Sequence, residues 1–318
     1  MVYKNFHDFG ISDKVLVAIS EMGFEEPTPI QKITIPLAMK GRDIIGQAQT
    51  GTGKTAAFGI PIVERREEAA SSRHPFALVL APTRELAVQV SEELNKIGSK
   101  VGVVSVPIYG GQSIELQIKR LRAGADVVVG TPGRMLDHLE RRTMNLGNVR
   151  MVVLDEADEM LNMGFIEDIT KILDKVPAER QTMLFSATMP PEILRISKRY
   201  MTNAEHLAVA ASDMIVSKIK QVFYEVRDED KVKALTRLLD VEGPSLTLVF
   251  CHTKRAVDDV SGKLQQMGYP AGAIHGDFTQ SHRDEMIRKF KGGDLDVLVA
   301  TDVAARGLDI PDVSHVIN

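Results

Sequence analysis

Eight residues, Ala48-Gln49-Thr50-Gly51-Thr52-Gly53-Lys54-Thr55, constrain the fold of this chain more than any other stretch. An apolar edge, Ile44-Ile45, precedes them, and a helical run, Ala56-Ala57-Phe58, follows. A glycine-rich turn between a strand and a helix can cradle phosphate. Gly51 and Gly53 let the backbone curl until its N–H groups point inward at phosphate oxygens. The helix N-terminus adds its dipole. Gln49, Thr50 and Thr52 complete the loop. Lys54 is expected to reach the β- and γ-phosphates, and the Thr55 hydroxyl to hold Mg²⁺. The usual pattern opens with Gly six residues before the Lys, a place that Ala48 takes here. The alternative is a tight glycine turn without a ligand.

The rest of the chain suits a strand–loop–helix unit. Short apolar runs predict strands at Phe76–Leu80, Gly102–Val106, Asp126–Val129, Met151–Leu154, Gln181–Phe185 and Glu205–Val209. Helical patterns such as Arg84–Ile97, Gln112–Arg122 and Pro191–Met201 lie between them. This alternation predicts a parallel sheet covered on both faces, with ligands beyond the carboxyl ends of its strands. The apolar pattern breaks at 210–217, which reads as a linker between a first domain, 1–209, and a second, 218–318. The second series runs as a strand Ile219–Val226, a helix Asp228–Leu239, a strand Leu246–Cys251 and a helix Lys254–Met267. A strand Ala271–Ile274, a helix Gln280–Phe290, a strand Asp296–Ala300 and a strand opening at Asp312–Asn318 follow. Two α/β domains with one phosphate loop suggest a ligand in the cleft between them.

Composition narrows the function classes. At 318 residues the length suggests about two domains. A net charge of -4 argues against a strong nonspecific DNA clamp but leaves room for a local basic groove. Cys251 is the one cysteine, so no intrachain disulfide forms. No apolar run reaches membrane-spanning length, and Met1-Val2-Tyr3-Lys4 opens no signal-peptide core. The expectation is a cytoplasmic protein with no membrane partner. Nothing points to a stable oligomer, so a monomer is expected.

Met151-Val152-Val153-Leu154-Asp155-Glu156-Ala157-Asp158 is the second strong signal. An apolar strand ending in acids suits a Mg²⁺-nucleotide site. Asp155 is expected to hold the metal, mostly through water, opposite Thr55. Glu156 stands where it can orient or deprotonate an attacking water. Asp158 reads as a brace for neighbouring loops. Gln31 offers both a donor and an acceptor, which suits the edge of adenine. Phe6 is either a base-stacking aromatic or a core residue. The nearest approach to a guanine-reading Asn-Lys-x-Asp segment, Asn95-Lys96-Ile97-Gly98, lacks the acid, so ATP is preferred over GTP.

The phosphate loop, the spelled-out Asp155-Glu156-Ala157-Asp158 and a string of ordered motifs resemble the DEAD-box RNA helicases. Gly23-Phe24-Glu25-Glu26-Pro27-Thr28-Pro29-Ile30-Gln31, with Phe6 upstream, resembles that family's adenine-reading segment. Pro82-Thr83-Arg84-Glu85-Leu86-Ala87, Gly110-Gly111 and Thr131-Pro132-Gly133-Arg134 look like its first-domain RNA-contact motifs. Ser186-Ala187-Thr188 is similar to its coupling motif. In the second domain, Val249-Phe250-Cys251-His252-Thr253-Lys254, His275-Gly276-Asp277, Gln280 with Arg283, and the run from Ala300 to Ile310 also match.

The resemblance implies two tandem RecA-like α/β domains and an ATP-dependent RNA helicase that uses ATP and Mg²⁺. It implies catalytic roles for Lys54, Asp155, Glu156, Ser186 and Thr188, and ATP contacts from Phe6, Phe24, Gln31 and Asp309 besides the loop. It implies sequence-nonspecific RNA contacts from Arg84, Gly111, Thr131, Arg134, Thr253, Arg283 and Thr301. Contacts of that kind position a strand without reading its bases. The family carries a further motif, rich in Arg, downstream of a strand resembling Val313–Asn318. Its arginines stabilise charge on the transferring phosphoryl group, worth about 10³–10⁵ in rate in related enzymes. The expectation is a second domain lacking its last elements and a chain that turns ATP over weakly. An ATP-gated RNA clamp and a DNA helicase of the wider superfamily are the rival readings.

Overall fold

The structure, a computed structural model, describes residues 5–49, 51–68, 74–209, 219–305, 310 and 312–318. The chain divides into two compact units, Met1–Val216 and Ser217–Asn318. The segment 210–217 read as a linker lies outside the described residues.

The first unit holds strands β1 (Ile44–Gln47), β2 (Ala77–Leu80), β3 (Ser105–Ile108), β4 (Val127–Gly130), β5 (Met151–Leu154), β6 (Gln181–Ser186) and β7 (Glu205–Ala208). They pair in parallel in the order β3-β4-β2-β5-β6-β1-β7. The helices are α1 (Asp13–Glu21), α2 (Pro29–Met39), α3 (Lys54–Glu64), α4 (Arg84–Ile97), α5 (Ile114–Ala123), α6 (Pro132–Glu140), α7 (Ala157–Asn162), α8 (Ile166–Leu173) and α9 (Pro191–Tyr200).

The strands are apolar throughout because both faces of the sheet are covered. Ala77, Val79 and Val153 pack on one side with Phe58, Val90 and Leu94 from α3 and α4. Their neighbours Leu78, Leu80, Val152 and Leu154 pack on the other side with Met135, Met160, Ile169 and Ile193. Buried Asp43 ties the start of β1 to both flanks, accepting from the Thr182 N–H at 2.7 Å and the Thr202 N–H at 2.6 Å.

The second unit holds α10 (Lys231–Glu242), β8 (Thr247–Cys251), α11 (Lys254–Gln266), β9 (Ala271–Ile274), α12 (Gln280–Lys291), β10 (Val297–Thr301), α13 (Asp302–Ala305) and β11 (His315–Ile317). Its sheet is parallel, in the order β11-β8-β10-β9. Val297 and Val299 face one core, Leu298 and Ala300 the other.

Two elements differ from expectation. Residues 219–226 form no strand; Ile219, Val222, Phe223 and Tyr224 are exposed, Phe223 at 92%. An alternating apolar run becomes a strand only against a partner edge, and no ladder among the described residues includes this segment. The third strand starts at Ser105 rather than Gly102, because Gly102 takes a left-handed turn at φ 74°.

One geometric fact governs the site. In the first unit the residues singled out for chemistry follow the carboxyl ends of parallel strands: Gly51–Thr55 after β1, Arg84 after β2, Gly111 after β3, Thr131 after β4, Asp155 and Glu156 after β5. Ser186 ends β6 and Thr188 follows it. In the second unit Thr253 follows β8 and Thr301 ends β10. Ligands of such sheets bind at this edge.

Candidate active site

The loop after β1 has the backbone that phosphate binding requires. Gly53 sits at φ 87° and caps α3, and a Cβ there would lie 2.5 Å from the Gln31 amide nitrogen. No other residue fits that place. The Thr52 hydroxyl donates to the Gln49 carbonyl at 2.8 Å, closing the loop on itself. Lys54 opens α3 and is 6% exposed; its Nζ faces Asp155 Oδ1 at 3.7 Å. Thr55 is half-buried one residue further on. This cradle fits a nucleotide phosphate chain: orphan N–H groups at a helix start, a buried cation beside them, and no room for a side chain. Thr50 lies outside the described residues.

Asp155 follows β5 directly at 2% exposure and accepts from the Glu156 N–H at 3.0 Å. Burial pushes its carboxyl up, and Lys54 opposes that shift. A buried carboxylate facing one cation at 3.7 Å is under-compensated. Its chemistry suits a divalent ion, as does that of the Thr55 hydroxyl after β1, which β6 separates from β5. Glu156 takes a left-handed backbone, φ 52° and ψ 53°, at the start of α7. Non-glycine residues hold that conformation at a cost, and it is concentrated at functional sites.

Asp158 braces the loop after β6. Its Oδ2 accepts from the Thr188 N–H and from the Thr188 hydroxyl, both at 2.8 Å. Its own N–H donates to the buried Ser186 Oγ at 3.1 Å. Partial burial pushes the Asp158 carboxyl up, but the bonds from Thr188 and Ser186 outweigh it and hold the group below the usual range. α9 is capped by Pro190 and takes no side-chain cap. Ser186 and Thr188 are therefore spent on Asp158, not on starting the next helix.

Gln31 is 3% exposed. Its Oε1 accepts from the Thr28 N–H at 2.9 Å and its Nε2 donates to the Gly53 carbonyl at 3.1 Å. One N–H and one lone pair of the amide remain. Phe6 is packed in the core, edge-on to Phe9 at 6.0 Å and stacked with half-buried Phe24 at 6.2 Å. Phe6 is thus 4% exposed among these rings.

On the same edge, Arg84 lies over Gly111, whose φ of 84° and missing side chain leave space for the guanidinium. Thr131 caps α6, and its N–H donates to the Ile108 carbonyl at 3.0 Å. Arg134 reaches back from α6 to the Gln112 carbonyl at 3.1 Å. The Asn95 amide is bound to the Ser105 backbone at 2.8 and 3.1 Å, so it ties α4 to β3. In the second unit Thr253 caps α11, accepting from the Ala256 N–H at 3.1 Å. Arg283 Nη2 donates to the Ala304 carbonyl at 2.9 Å, and the Thr301 hydroxyl faces the Ala304 N–H at 3.4 Å. Those three residues thus form one cluster. Asp309 lies outside the described residues.

Comparison with known proteins decides the family. Residues 28–196 match the DEAD/DEAH box helicase model, and residues 230–318 match the helicase conserved C-terminal domain. The chain belongs to the DEAD/DEAH box helicase family. It is 58% identical over 313 residues to the DEAD-box ATP-dependent RNA helicase CshA of Bacillus subtilis, covering 98% of this chain and 63% of that protein. It is similarly 58% identical to CshA of Geobacillus kaustophilus, of which it covers 67%. The chain thus spans about two thirds of the length of these relatives.

Among solved structures, Saccharomyces cerevisiae Dbp5 bound to RNA and ADP BeF3 matches with a TM-score of 0.86 at 34% identity, over 99% of this chain and 80% of that one. A DEAD box protein from Methanococcus jannaschii matches with a TM-score of 0.63 at 45% identity, over 100% and 85%. The two parallel α/β units described above are the tandem RecA-like fold of these DEAD-box helicases.

Within each unit the described motif residues end or follow parallel strands. Asp158 braces a neighbouring loop, as its place in the spelled-out motif suggested; its partner lies 30 residues away. Gln117 and His138, described below, carried no sequence signal. Among the described residues, no helix is long and apolar enough to cross a membrane.

Proposed function

We propose that this chain is the ATP-dependent RNA-binding machinery of a DEAD-box helicase, coupling ATP binding and hydrolysis to RNA binding and local duplex unwinding. The observation that carries the reading is the Asp158–Thr188 contact. It joins the acidic strand end that handles nucleotide to the β6 edge, within one unit.

Lys54 and the loop N–H groups hold the phosphate chain, and Gln31 turns its remaining amide donor and acceptor toward adenine. Thr55 and Asp155 would hold Mg²⁺, which supplies neutralisation of charge between the β- and γ-phosphates. Glu156 orients the attacking water and takes its proton as the water oxygen bonds to the γ-phosphorus and the bridging P–O bond breaks. Arg84, the Gly110-Gly111 backbone, Thr131 and Arg134 grip the sugar-phosphate backbone. Thr253, Arg283 and Thr301 make equivalent contacts from the second unit. These groups select ribose over base, giving RNA binding with little sequence preference. We take the acting species to be a monomer in the cytoplasm, using Mg·ATP.

ATP turnover by this chain, with and without single-stranded RNA, tests the proposal beside a Glu156→Gln control. The expected outcome is RNA-stimulated turnover that falls by about 10²–10⁴ in the variant while nucleotide still binds. RNA retention that depends on ATP without any hydrolysis would favour the clamp. Stimulation by single-stranded DNA equal to that by RNA would favour the DNA helicase.

A further inference from the structure

Behind the RNA-facing edge of the first unit lies a buried polar chain that none of the motifs includes. Gln117, on α5, and His138, on α6, are both fully buried. The Gln117 amide donates to the Tyr109 carbonyl at 2.8 Å and to Gln112 Oε1 at 3.3 Å. Its Oε1 faces His138 Nε2 at 3.0 Å and accepts from Arg134 Nη1 at 3.3 Å. Both N–H groups and both lone pairs of the amide are therefore filled.

This pattern fixes the protons. The Tyr109 carbonyl can only accept, so the amide nitrogen must face it and Oε1 must face His138. His138 Nε2 must then carry a proton. In the neutral ring Nδ1 is left as an acceptor, 2.8 Å from the Thr143 hydroxyl, whose one proton the His138 carbonyl shares at 3.1 Å. Burial first, and the Arg134 charge second, hold this imidazole in its neutral form.

We propose that Gln117 and His138 are positioning residues for nucleic-acid contact: they aim Arg134 and lock it to the Tyr109–Gln112 loop. The proposal rests on the reading of this edge as an RNA-binding surface. Arg134 hangs from α6 and the glycine pair from the loop after β3; Arg134 meets that loop directly at the Gln112 carbonyl, 3.1 Å away, and Gln117 braces the same guanidinium from behind. Arg134 is further steered by Asp137 at 3.8 Å on its own helix. A guanidinium held in place loses less freedom when it meets phosphate, which is worth about 0.5–1.5 kcal/mol per long side chain, or roughly twofold to tenfold in affinity.

The test is the affinity for a fluorescein-labelled uridine decamer, read by anisotropy with Mg·AMP-PNP present. His138→Leu removes the Nε2 donor and is expected to weaken binding about threefold to tenfold. His138→Gln, whose amide can replace that donor, is expected to stay within about twofold of the parent. In an Arg134→Ala background, His138→Leu is expected to add nothing, because it acts through Arg134. Equal losses in both backgrounds, or full affinity in His138→Leu, would overturn the proposal. Should His138→Leu lose its cooperative melt, Thr143→Val replaces it, since it removes the hydroxyl that orients the ring, and the same two outcomes decide. If the parent chain itself does not bind the decamer, the RNA reading fails and the proposal fails with it, an outcome distinct from unaltered binding in the variants.

Discussion

Lys54 is a buried cation whose counter-charge, Asp155, stands at 3.7 Å. Its charge-assisted bonds to a phosphate chain would be worth about 1.5–3 kcal/mol. Lys54→Ala should therefore raise the nucleotide dissociation constant by roughly 10–150-fold, as calorimetry with Mg·ADP would show. Unchanged affinity would mean that the loop is a structural turn. His138 gives a second residue-scale prediction. Its folded-state pKa lies below the ordinary value of 6.5. Below about pH 6.5 the unfolded chain therefore binds a proton that the folded chain refuses. Stability contributed by neutral His138 is complete above that pH and is lost as pH falls toward the folded-state value. The melting temperature should fall between pH 7.5 and 5.5, by about 2–4 °C per kcal/mol lost, and fall less in His138→Gln. An equal fall in both proteins would contradict this.

Among the elements, the loop–helix junctions at strand ends hold the residues proposed for the chemistry, and most of these junctions are readable in sequence. β5 is a continuous apolar run, Met151–Leu154, with Asp155 directly after it, and β6 runs one residue past the expected Phe185 to Ser186, so both strands are visible in sequence. α4 was readable to the residue because Thr83 caps it, accepting from the Leu86 N–H at 3.2 Å. Other features depend on partners far along the chain. Residues 219–226 alternate like a strand, yet the pattern says nothing about whether a sheet edge lies beside them. The contacts of Phe6 with Phe9 and Phe24 are of this kind, since neither neighbour is marked by spacing. Gln117 and His138 are polar residues on helices, indistinguishable in sequence from a solvated face. A test at this scale is Gly53→Ala. The left-handed backbone and the 2.5 Å approach to Gln31 forbid the methyl group. Nucleotide binding should drop at least tenfold, with a loss of about 1 kcal/mol or more in stability. Gly133→Ala, with open space around it, should be tolerated in the fold.

For the molecule as a whole, the issue is why nucleotide and RNA should affect one another. Within the first unit the path is short and physical. Lys54 meets Asp155, Asp155 adjoins the strained Glu156, and Asp158 holds Ser186 and Thr188. A ligand that draws on Asp155 or Glu156 would act on the segment that carries Asp158. Coupling of this kind is reciprocal and typically amounts to 1–3 kcal/mol, about 5–150-fold in affinity. The most direct measurement is the affinity of this chain for a uridine decamer, with and without saturating Mg·AMP-PNP. The account predicts at least fivefold tighter RNA binding when nucleotide is bound, and the same factor for nucleotide when RNA is bound. Equal RNA affinity in the two conditions, with nucleotide shown to be bound, would contradict it.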